Sequence, residues 1–170
     1  MKLPLKLFKI LILLIGFNLY SQDRLALSIQ QDLKLAVVGD EKRGYDAFTT
    51  DALIRLEMHG KPNHIGYVVV FPEYEFADIE GKYYRYSFNA GYVFIFNKVH
   101  IGLTGSYGFI DRYEVNTRSG GFSLSLKYPI TNNIKLVTTS QFVDRTDLQW
   151  LWGVDEIRFS GFIGLEIKII

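Results

Sequence analysis

The chain has 170 residues, a one-domain length, and its 19 basic and 18 acidic side chains leave a formal net charge of +1. No patch or run of basic residues breaks this balance, so the composition gives no indication of nucleic-acid binding. The chain contains no cysteine, which excludes a disulfide framework and a cysteine-linked lipid anchor.

The beginning of the chain is predicted to be an export signal. Lysines within the first nine residues form a basic segment, residues 10–17 are apolar, and Ser21 is a small residue suited to cleavage. A membrane helix would need about twenty apolar residues, roughly twice the length of this run. We therefore expect a cleaved signal peptide over residues 1–22 and a mature domain over residues 23–170.

The first predicted strand covers residues 23–37, where apolar and polar side chains alternate. The odd-numbered positions from 25 to 37 are apolar except for Gln31, whereas most even-numbered positions are polar. This spacing would scatter the apolar side chains around a helix axis. It therefore predicts a strand whose two faces meet different surroundings.

Two further strands are predicted before residue 80. Residues 38–51 are charged and indicate a long loop, and residues 52–59 alternate again before a turn at 60–63. A third strand follows at 65–77, although its first part is apolar on both sides. Because Pro72 has no N–H for the ladder, we expect a bulge or another irregularity there.

The fourth predicted strand, residues 83–97, has the clearest pattern in the chain. Its even-numbered positions from 84 to 96 are aromatic or apolar, whereas the odd-numbered positions include Arg85, Ser87 and Asn89. Soluble strands usually have about five or six residues, and a tilted strand needs about nine to eleven to cross a bilayer. The length therefore predicts a transmembrane β-strand.

Four more strands and their connections complete the pattern. Short and long connections alternate along the chain, as they do between the periplasmic turns and external loops of outer-membrane barrels. Without a long apolar helix in the mature chain, only a closed barrel would satisfy its backbone groups inside lipid. The remaining strands are expected at 99–109, 122–128, 134–143 and 157–169, with short connections at 97–98 and 129–133 and long loops at 111–121 and 144–156.

On these features, residues 23–170 resemble the small eight-stranded outer-membrane barrels of the OmpX and OmpA transmembrane-domain type. The last strand resembles the terminal assembly signal of that class because Gly164 is followed by apolar Ile167 and Ile169, although Phe162 stands where a polar residue is usual. The resemblance implies an all-β, eight-stranded antiparallel up-and-down transmembrane barrel in the outer membrane of a Gram-negative-type envelope. It also implies periplasmic termini, surrounding outer-membrane lipid and assembly by the barrel-assembly machinery.

The alternative is a soluble periplasmic or secreted lipocalin-like barrel that carries a hydrophobic small molecule. Its strands show the same two-residue period, but the apolar side chains face inward and the charged ones outward. Strand length, the apolar last strand and Tyr-rich rows at 83–86 and 107–113 favour the membrane barrel. A lipocalin-like chain would typically carry a Gly-x-Trp near its start, whereas Trp150 and Trp152 come late.

The charged strand faces predict the content of the lumen. Side chains just fill an eight-stranded barrel, so we expect a packed set of paired charges rather than a conducting channel. A narrow ion path or ligand cup is the functional alternative. The predicted lumen charge network contains Arg24, Asp32, Lys34, Arg55, Glu57, Glu73, Glu75, Arg85 and Glu166, and Arg158 and Lys168 occupy the same face of the last strand.

Catalytic and metal-binding patterns are weak. His59, His64 and His100 fall near the predicted periplasmic end, but we expect His59 and His100 to face each other across the lumen without converging. A lipid-modifying barrel enzyme would need Ser, His and acid at the outer rim, and we place no His there near Ser106 or Ser140. We therefore predict no enzyme activity, no metal site and no cofactor.

The last long loop carries the strongest candidate for a partner site, formed by Trp150, Leu151 and Trp152. These side chains either extend the aromatic girdle and the neighbouring strands or form an exposed apolar patch for a surface protein or ligand. The resulting hypothesis is a structural or surface-interaction protein of the outer membrane that displays its external loops.

Overall fold

The computed structural model describes residues 25–39, 46–79, 81–153 and 157–170. The expected signal peptide and Arg24 lie outside the described residues. Among those residues, no helix combines the length and the apolar character that crossing a membrane requires. The elements are β1 (Leu25–Asp32), α1 (Leu33–Val37), β2 (Asp51–His59), β3 (Gly66–Ala77), β4 (Tyr83–Phe96), β5 (Val99–Arg112), β6 (Val115–Pro129), β7 (Ile134–Asp144), α2 (Thr146–Trp152) and β8 (Ile157–Lys168).

These strands form one closed barrel in which each strand pairs antiparallel with its neighbours in sequence and β1 pairs with β8. The backbone N–H of Ile169 donates to the carbonyl of Leu25 at 2.8 Å. Leu25 therefore lies beside the end of β8 at this seam. If the pairing is instead traced from Leu25 around the barrel through β2 to β7, it reaches β8 at Phe159, near the start of that strand. This stagger is the geometric consequence of closing a sheet with tilted strands.

The two ends of the barrel differ in their connections. The terminus end contains the start of β1, the end of β8 and the connections 60–65, 97–98 and 130–133. The loop end contains α1, α2, the turn at 113–114 and the described parts of the connections that follow β1, β3 and β7.

Alternation along the strands separates two chemistries. In β4, the even-numbered side chains from 84 to 96 face outward, whereas Arg85, Ser87 and Asn89 are buried inside the barrel. β1 behaves in the same way, with Ser28 and Gln30 buried and Ile29 exposed between them. The predicted facing of both rows agrees with the structure.

The first strand is shorter than predicted, and its extension to residue 37 is wrong. β1 ends at Asp32, whose side-chain Oδ1 accepts a hydrogen bond from the backbone N–H of Leu35 at 2.8 Å and caps α1. Aspartate is a preferred N-cap because it satisfies an N–H that has no partner within the helix. The cap therefore turns the chain where the apolar alternation alone favoured a longer strand.

The long loop predicted at 111–121 is also wrong. β5 and β6 extend to Arg112 and Val115 and are joined only by Tyr113 and Glu114. These two residues have φ angles of 51° and 63°, the left-handed pair that a tight hairpin turn of the I′ kind requires. Neither residue is Gly or Asn, so no turn signal marks this position, and the polar side chains on both faces are typical of a loop.

Of the bulge or other irregularity predicted at Pro72, the described β2–β3 ladder shows an interruption without a bulge, because pairing stops between Arg55–Glu73 and Met58–Val70. Arg55 pairs with Glu73 and Met58 with Val70, so the β2–β3 register is the same on both sides of the proline. Pro72 itself pairs with Phe88 of β4.

Candidate functional site

A carboxylate between two guanidinium groups occupies the middle of the lumen. Nε of Arg55 donates to Oε2 of Glu73 at 2.6 Å, and Nη1 of Arg85 donates to Oε1 of Glu73 at 2.7 Å. All three side chains are buried. The alternation of β2, β3 and β4 brings them together because each residue occupies an inward position of its strand.

Polar side chains from the opposite strands complete this central network. Arg85 also donates through Nη2 to Oγ of Ser106 at 2.8 Å and through Nε to Oγ of Ser119 at 3.3 Å. Nη1 of Arg55 donates to Oγ1 of Thr139 at 3.1 Å. These bonds connect strands on both sides of the lumen, which fixes the side chains across the barrel rather than along one wall.

A second ionic cluster lies toward the terminus end. The Lys127 ammonium donates to the carboxylates of Glu57 and Glu166, with 2.5 Å separating Nζ from Oε2 of Glu166. Lys135 Nζ reaches the other oxygen of Glu166 at 2.7 Å, and His59 Nε2 lies 3.1 Å from Oε2 of Glu57. Carboxylate and imidazole atoms of Glu57, His59 and Glu166 approach one another closely enough to hold a metal ion, but Lys127 already bonds both carboxylates.

Helix α2 packs into the loop end. Arg145 donates through Nε and Nη2 to the two carboxylate oxygens of Asp147, at 2.8 and 2.7 Å, and its guanidinium lies 4.2 Å from the Tyr83 ring centroid. Asp147 and Leu148 are both buried. Burial would lower the pKa of the Arg145 guanidinium, but the neighbouring Tyr83 and Asp147 raise it above its usual value, so the group keeps its charge.

The structure distributes the predicted lumen residues among these regions. Arg55, Glu73 and Arg85 form the central network, and Glu57 and Glu166 belong to the terminus-end cluster. Glu75 Oε2 lies 3.6 Å from Nη1 of Arg85. The remaining described residues of the prediction are Asp32, which is buried and caps α1, and Lys34.

The lumen assignment of Lys34 is a correction. It lies on α1 and is exposed, because the strand that would have turned it inward ends at Asp32. Sequence reasoning also left Lys127, Lys135, Arg145 and Asp147 out of the network. Lys127 carried a usable signal because it occupies the polar face of an alternating strand.

The aromatic residues of α2 have different surroundings. Trp152 packs edge-on against Tyr113 at 6.2 Å between ring centroids, and the Arg112 guanidinium lies 4.4 Å from its ring centroid. Trp150 is 76% exposed, whereas Trp152 is 45% exposed. The predicted patch is therefore not one continuous surface. Trp152 packs against the β5–β6 hairpin, Trp150 is largely exposed, and Leu151 is partly buried.

The three histidines differ in their surroundings. His59 and His100 both lie close to Tyr67, with centroid distances of 4.7 and 6.3 Å to its ring, and all three residues line one cavity. The two imidazoles therefore share a cavity, whereas the group of described side chains that could hold a metal ion joins His59 to Glu57 and Glu166 and does not include His100. His64 is exposed in the connection between β2 and β3, while Ser106 is bonded to Arg85.

Together these features define an eight-stranded antiparallel up-and-down barrel with a polar, ion-paired interior and an apolar exterior. The chain is similar to the outer membrane protein Ail of Yersinia pestis, whose backbone structure is known in a phospholipid bilayer nanodisc. The two share 14% sequence identity with a TM-score of 0.53, over 87% of this chain and 100% of that one. No protein-family model and no curated protein sequence matches the chain. At this identity the likeness shows the fold.

Proposed function

We propose that this protein is a small integral barrel of the outer membrane that holds its polar lumen closed and presents its loop end to partners outside the cell. In this orientation the terminus end faces the periplasm. The observation that carries the proposal is the polarity of the barrel, with large apolar side chains exposed outside and ionic side chains buried inside.

The exterior supports a lipid environment. Outward side chains in the middle of several strands are apolar and exposed, including Phe88, Leu103, Leu124 and Leu165. In water, an apolar surface of this extent would cost free energy in proportion to its area. Acyl chains remove that cost, and a closed barrel leaves no strand edge to be satisfied by lipid.

Outward aromatic side chains lie near both ends of this surface. Tyr74 contacts Tyr84 and Tyr86 near the loop end, at centroid distances of 6.4 and 5.0 Å. Phe94 contacts Tyr92 and Phe96 near the terminus end, at 4.9 and 6.4 Å. Two aromatic zones that border an apolar band are typical of barrels whose rims lie at the membrane–water interfaces.

The interior argues against the soluble carrier. A carrier for a hydrophobic molecule needs an apolar cavity, whereas this barrel has Arg55 and Arg85 both paired with Glu73 at its centre. Smaller apolar clusters, such as Val69 with Phe71 and Val93, pack inside the wall beside the ionic groups. We infer that the lumen is a structural filling rather than a binding cavity for a lipid-like ligand.

The loop end supports surface display. Leu148 and Asp147 anchor α2 in the barrel mouth, so Trp150 is held on a fixed helix with most of its surface exposed. An ordered, exposed tryptophan is suited to binding because it supplies a large contact area with little loss of side-chain entropy. Trp152 supports this helix by packing on Arg112 and Tyr113.

Cell fractionation and gel mobility test the membrane assignment. The protein should be recovered with outer membranes after carbonate washing, and unheated samples should migrate differently from boiled samples because the closed barrel resists detergent. Recovery in the aqueous periplasmic fraction as a detergent-free monomer would contradict the proposal and support the soluble carrier.

Adhesion tests the display of Trp150. Cells that express a Trp150→Ala variant should lose adherence to a host-cell or matrix surface that the parent chain supports, with unchanged heat-modifiable migration. A Phe48→Ala variant is a suitable control, since Phe48 is also highly exposed at the loop end but lies in a different connection. Equal adherence of the parent and Trp150→Ala cells would reject a role for this side chain.

A further inference from the structure

The terminus end opens into a vestibule formed by two neighbouring cavities that share His59 and Lys135. One cavity, of about 390 Å³, is also lined by Tyr67, Ile95 and His100. The other, of about 190 Å³, is also lined by Asn132, Asn133, Glu166 and Lys168. Neither the barrel fold nor its proposed surface role requires open space at this end.

The walls of the vestibule are rich in hydrogen-bond donors. Lys135 supplies an ammonium group, the asparagines supply amides and the two imidazoles supply ring N–H groups. Among the described residues that line either cavity, Glu166 is the only one with a carboxylate, and both of its oxygens already accept from lysines, Oε2 from Lys127 and Oε1 from Lys135. Glu166 is therefore neutralised by the two lysines, and Lys135, which pairs with it, also lines both cavities.

Two buried polar atoms behind this wall have no hydrogen-bond partner among the described residues. They are the hydroxyl of Tyr67 and Nδ1 of His100. Tyr67 is 6% exposed, and its ring contacts those of both His59 and His100. Buried polar groups in native proteins are almost always bonded to protein or to a bound species, so the two unsatisfied atoms indicate a missing hydrogen-bond partner beside the vestibule.

We propose that this vestibule binds a small oxyanion, with Lys135 as the principal charge partner and Tyr67 and His100 as hydrogen-bond donors. A phosphate group fits this donor set best, because its oxygens can accept from the ammonium, phenol and imidazole groups together. A carboxylate offers the same chemistry with fewer acceptors. The larger cavity, of about 390 Å³, has ample room for such a group.

The location of the site on the periplasmic side rests on the proposed membrane orientation, but binding does not. The vestibule belongs to the barrel itself and is present in the purified protein. The titration can therefore show no oxyanion binding while fractionation supports the membrane assignment. Equally, the purified barrel can bind the oxyanion while fractionation contradicts that assignment.

The test is a titration of the refolded full barrel in maltoside detergent with inorganic phosphate, and in parallel with acetate, at constant ionic strength. Histidine Cε1–H resonances report binding. His59 and His100 should shift saturably with phosphate, while exposed His64 should not. A tighter response to acetate would assign the natural ligand to a carboxylate, and a tighter response to phosphate would assign it to a phosphate group.

Variants separate a built site from general attraction. Lys135→Gln should weaken binding at least tenfold, and Lys135→Arg should restore much of the loss. Tyr67→Phe should weaken binding by about fivefold, because it deletes one donor without removing any bond present in the structure. Lys98→Gln, in the exposed β4–β5 turn at the same end, should change the affinity by less than twofold.

Two results would overturn the proposal. The first is a linear, non-saturating shift of all three histidines. The second is an equal loss of affinity in Lys98→Gln and Lys135→Gln, which would show that phosphate responds only to the net charge of this end. If Lys135→Gln does not fold, an unchanged affinity in Tyr67→Phe decides against the site.

Discussion

Nε of Arg55 lies 2.6 Å from Oε2 of Glu73, and both side chains are 1% exposed. This contact occupies the centre of the barrel, where a soluble domain would place apolar side chains. Removing two charges from water is costly, and their attraction offsets that cost only when the remaining donors and acceptors are also satisfied. Arg85, Ser87 and Thr139 supply most of those additional bonds, whereas Nη2 of Arg55 has no hydrogen-bond partner among the described residues.

The Glu73→Gln variant should be strongly destabilised. It leaves the guanidinium groups of Arg55 and Arg85 buried without the carboxylate they share, and the loss of one partner from a buried ionic group costs about 3–5 kcal/mol. Urea unfolding in lipid vesicles measures the change in the free energy of unfolding. Glu114→Gln, at the exposed hairpin turn, is the matched control, and similar stability of the two variants would refute a structural role for the central network.

The seam between β1 and β8 should tolerate no side chain at Gly164. An ideal Cβ there would lie 2.0 Å from the carbonyl oxygen of Ile29, whereas a Cβ on Gly161 of the same strand would meet nothing within 4 Å. Gly164→Ala should therefore destabilise the barrel by about 1–3 kcal/mol, as overpacking usually does. The heat-modified gel shift should occur at a lower temperature for Gly164→Ala, and Gly161→Ala should behave like the parent chain.

A charge on the outer surface tests the proposed lipid contact. Leu103 is exposed on β5 in the apolar band, and an Arg or Lys near the bilayer midplane of a membrane barrel costs about 2–4 kcal/mol. Leu103→Arg should therefore lower the stability in vesicles by about that amount, while Phe48→Arg at the loop end should have little effect. Equal stability of both variants in vesicles would mean that Leu103 does not contact acyl chains.

The two tryptophans of α2 should respond differently to truncation. Trp152→Ala removes the contacts with the Arg112 guanidinium and the Tyr113 ring, and a cation–π contact of this kind contributes about 0.5–2 kcal/mol. Limited proteolysis should then cut the β7–β8 connection faster than in the parent chain. Trp150→Ala should leave the cleavage rate unchanged, and faster cleavage of Trp150→Ala would show that this side chain also supports the helix.

The successes and failures of the sequence predictions have local causes. The rows from residue 84 to 96 and from 25 to 31 revealed the two faces of β4 and β1, because side chains of a strand alternate by geometry. At Asp32 a side-chain cap ended the strand, although Leu33, Leu35 and Val37 continued the same spacing. A competing local hydrogen bond therefore outweighed a correct periodic signal.

By itself, the sequence determined the number of strands, the closed antiparallel class of the barrel and the side of each strand that carries charge. Only the tertiary structure decided which polar side chains meet. Arg55 and Thr139 are distant along the chain, as are Lys127 and Glu57, and the closure and stagger of the barrel bring each pair together. The tertiary structure likewise decided that His59 and His100 share a cavity with Lys135. Alternation is a property of one strand, whereas partners across a lumen depend on the register of every ladder around it.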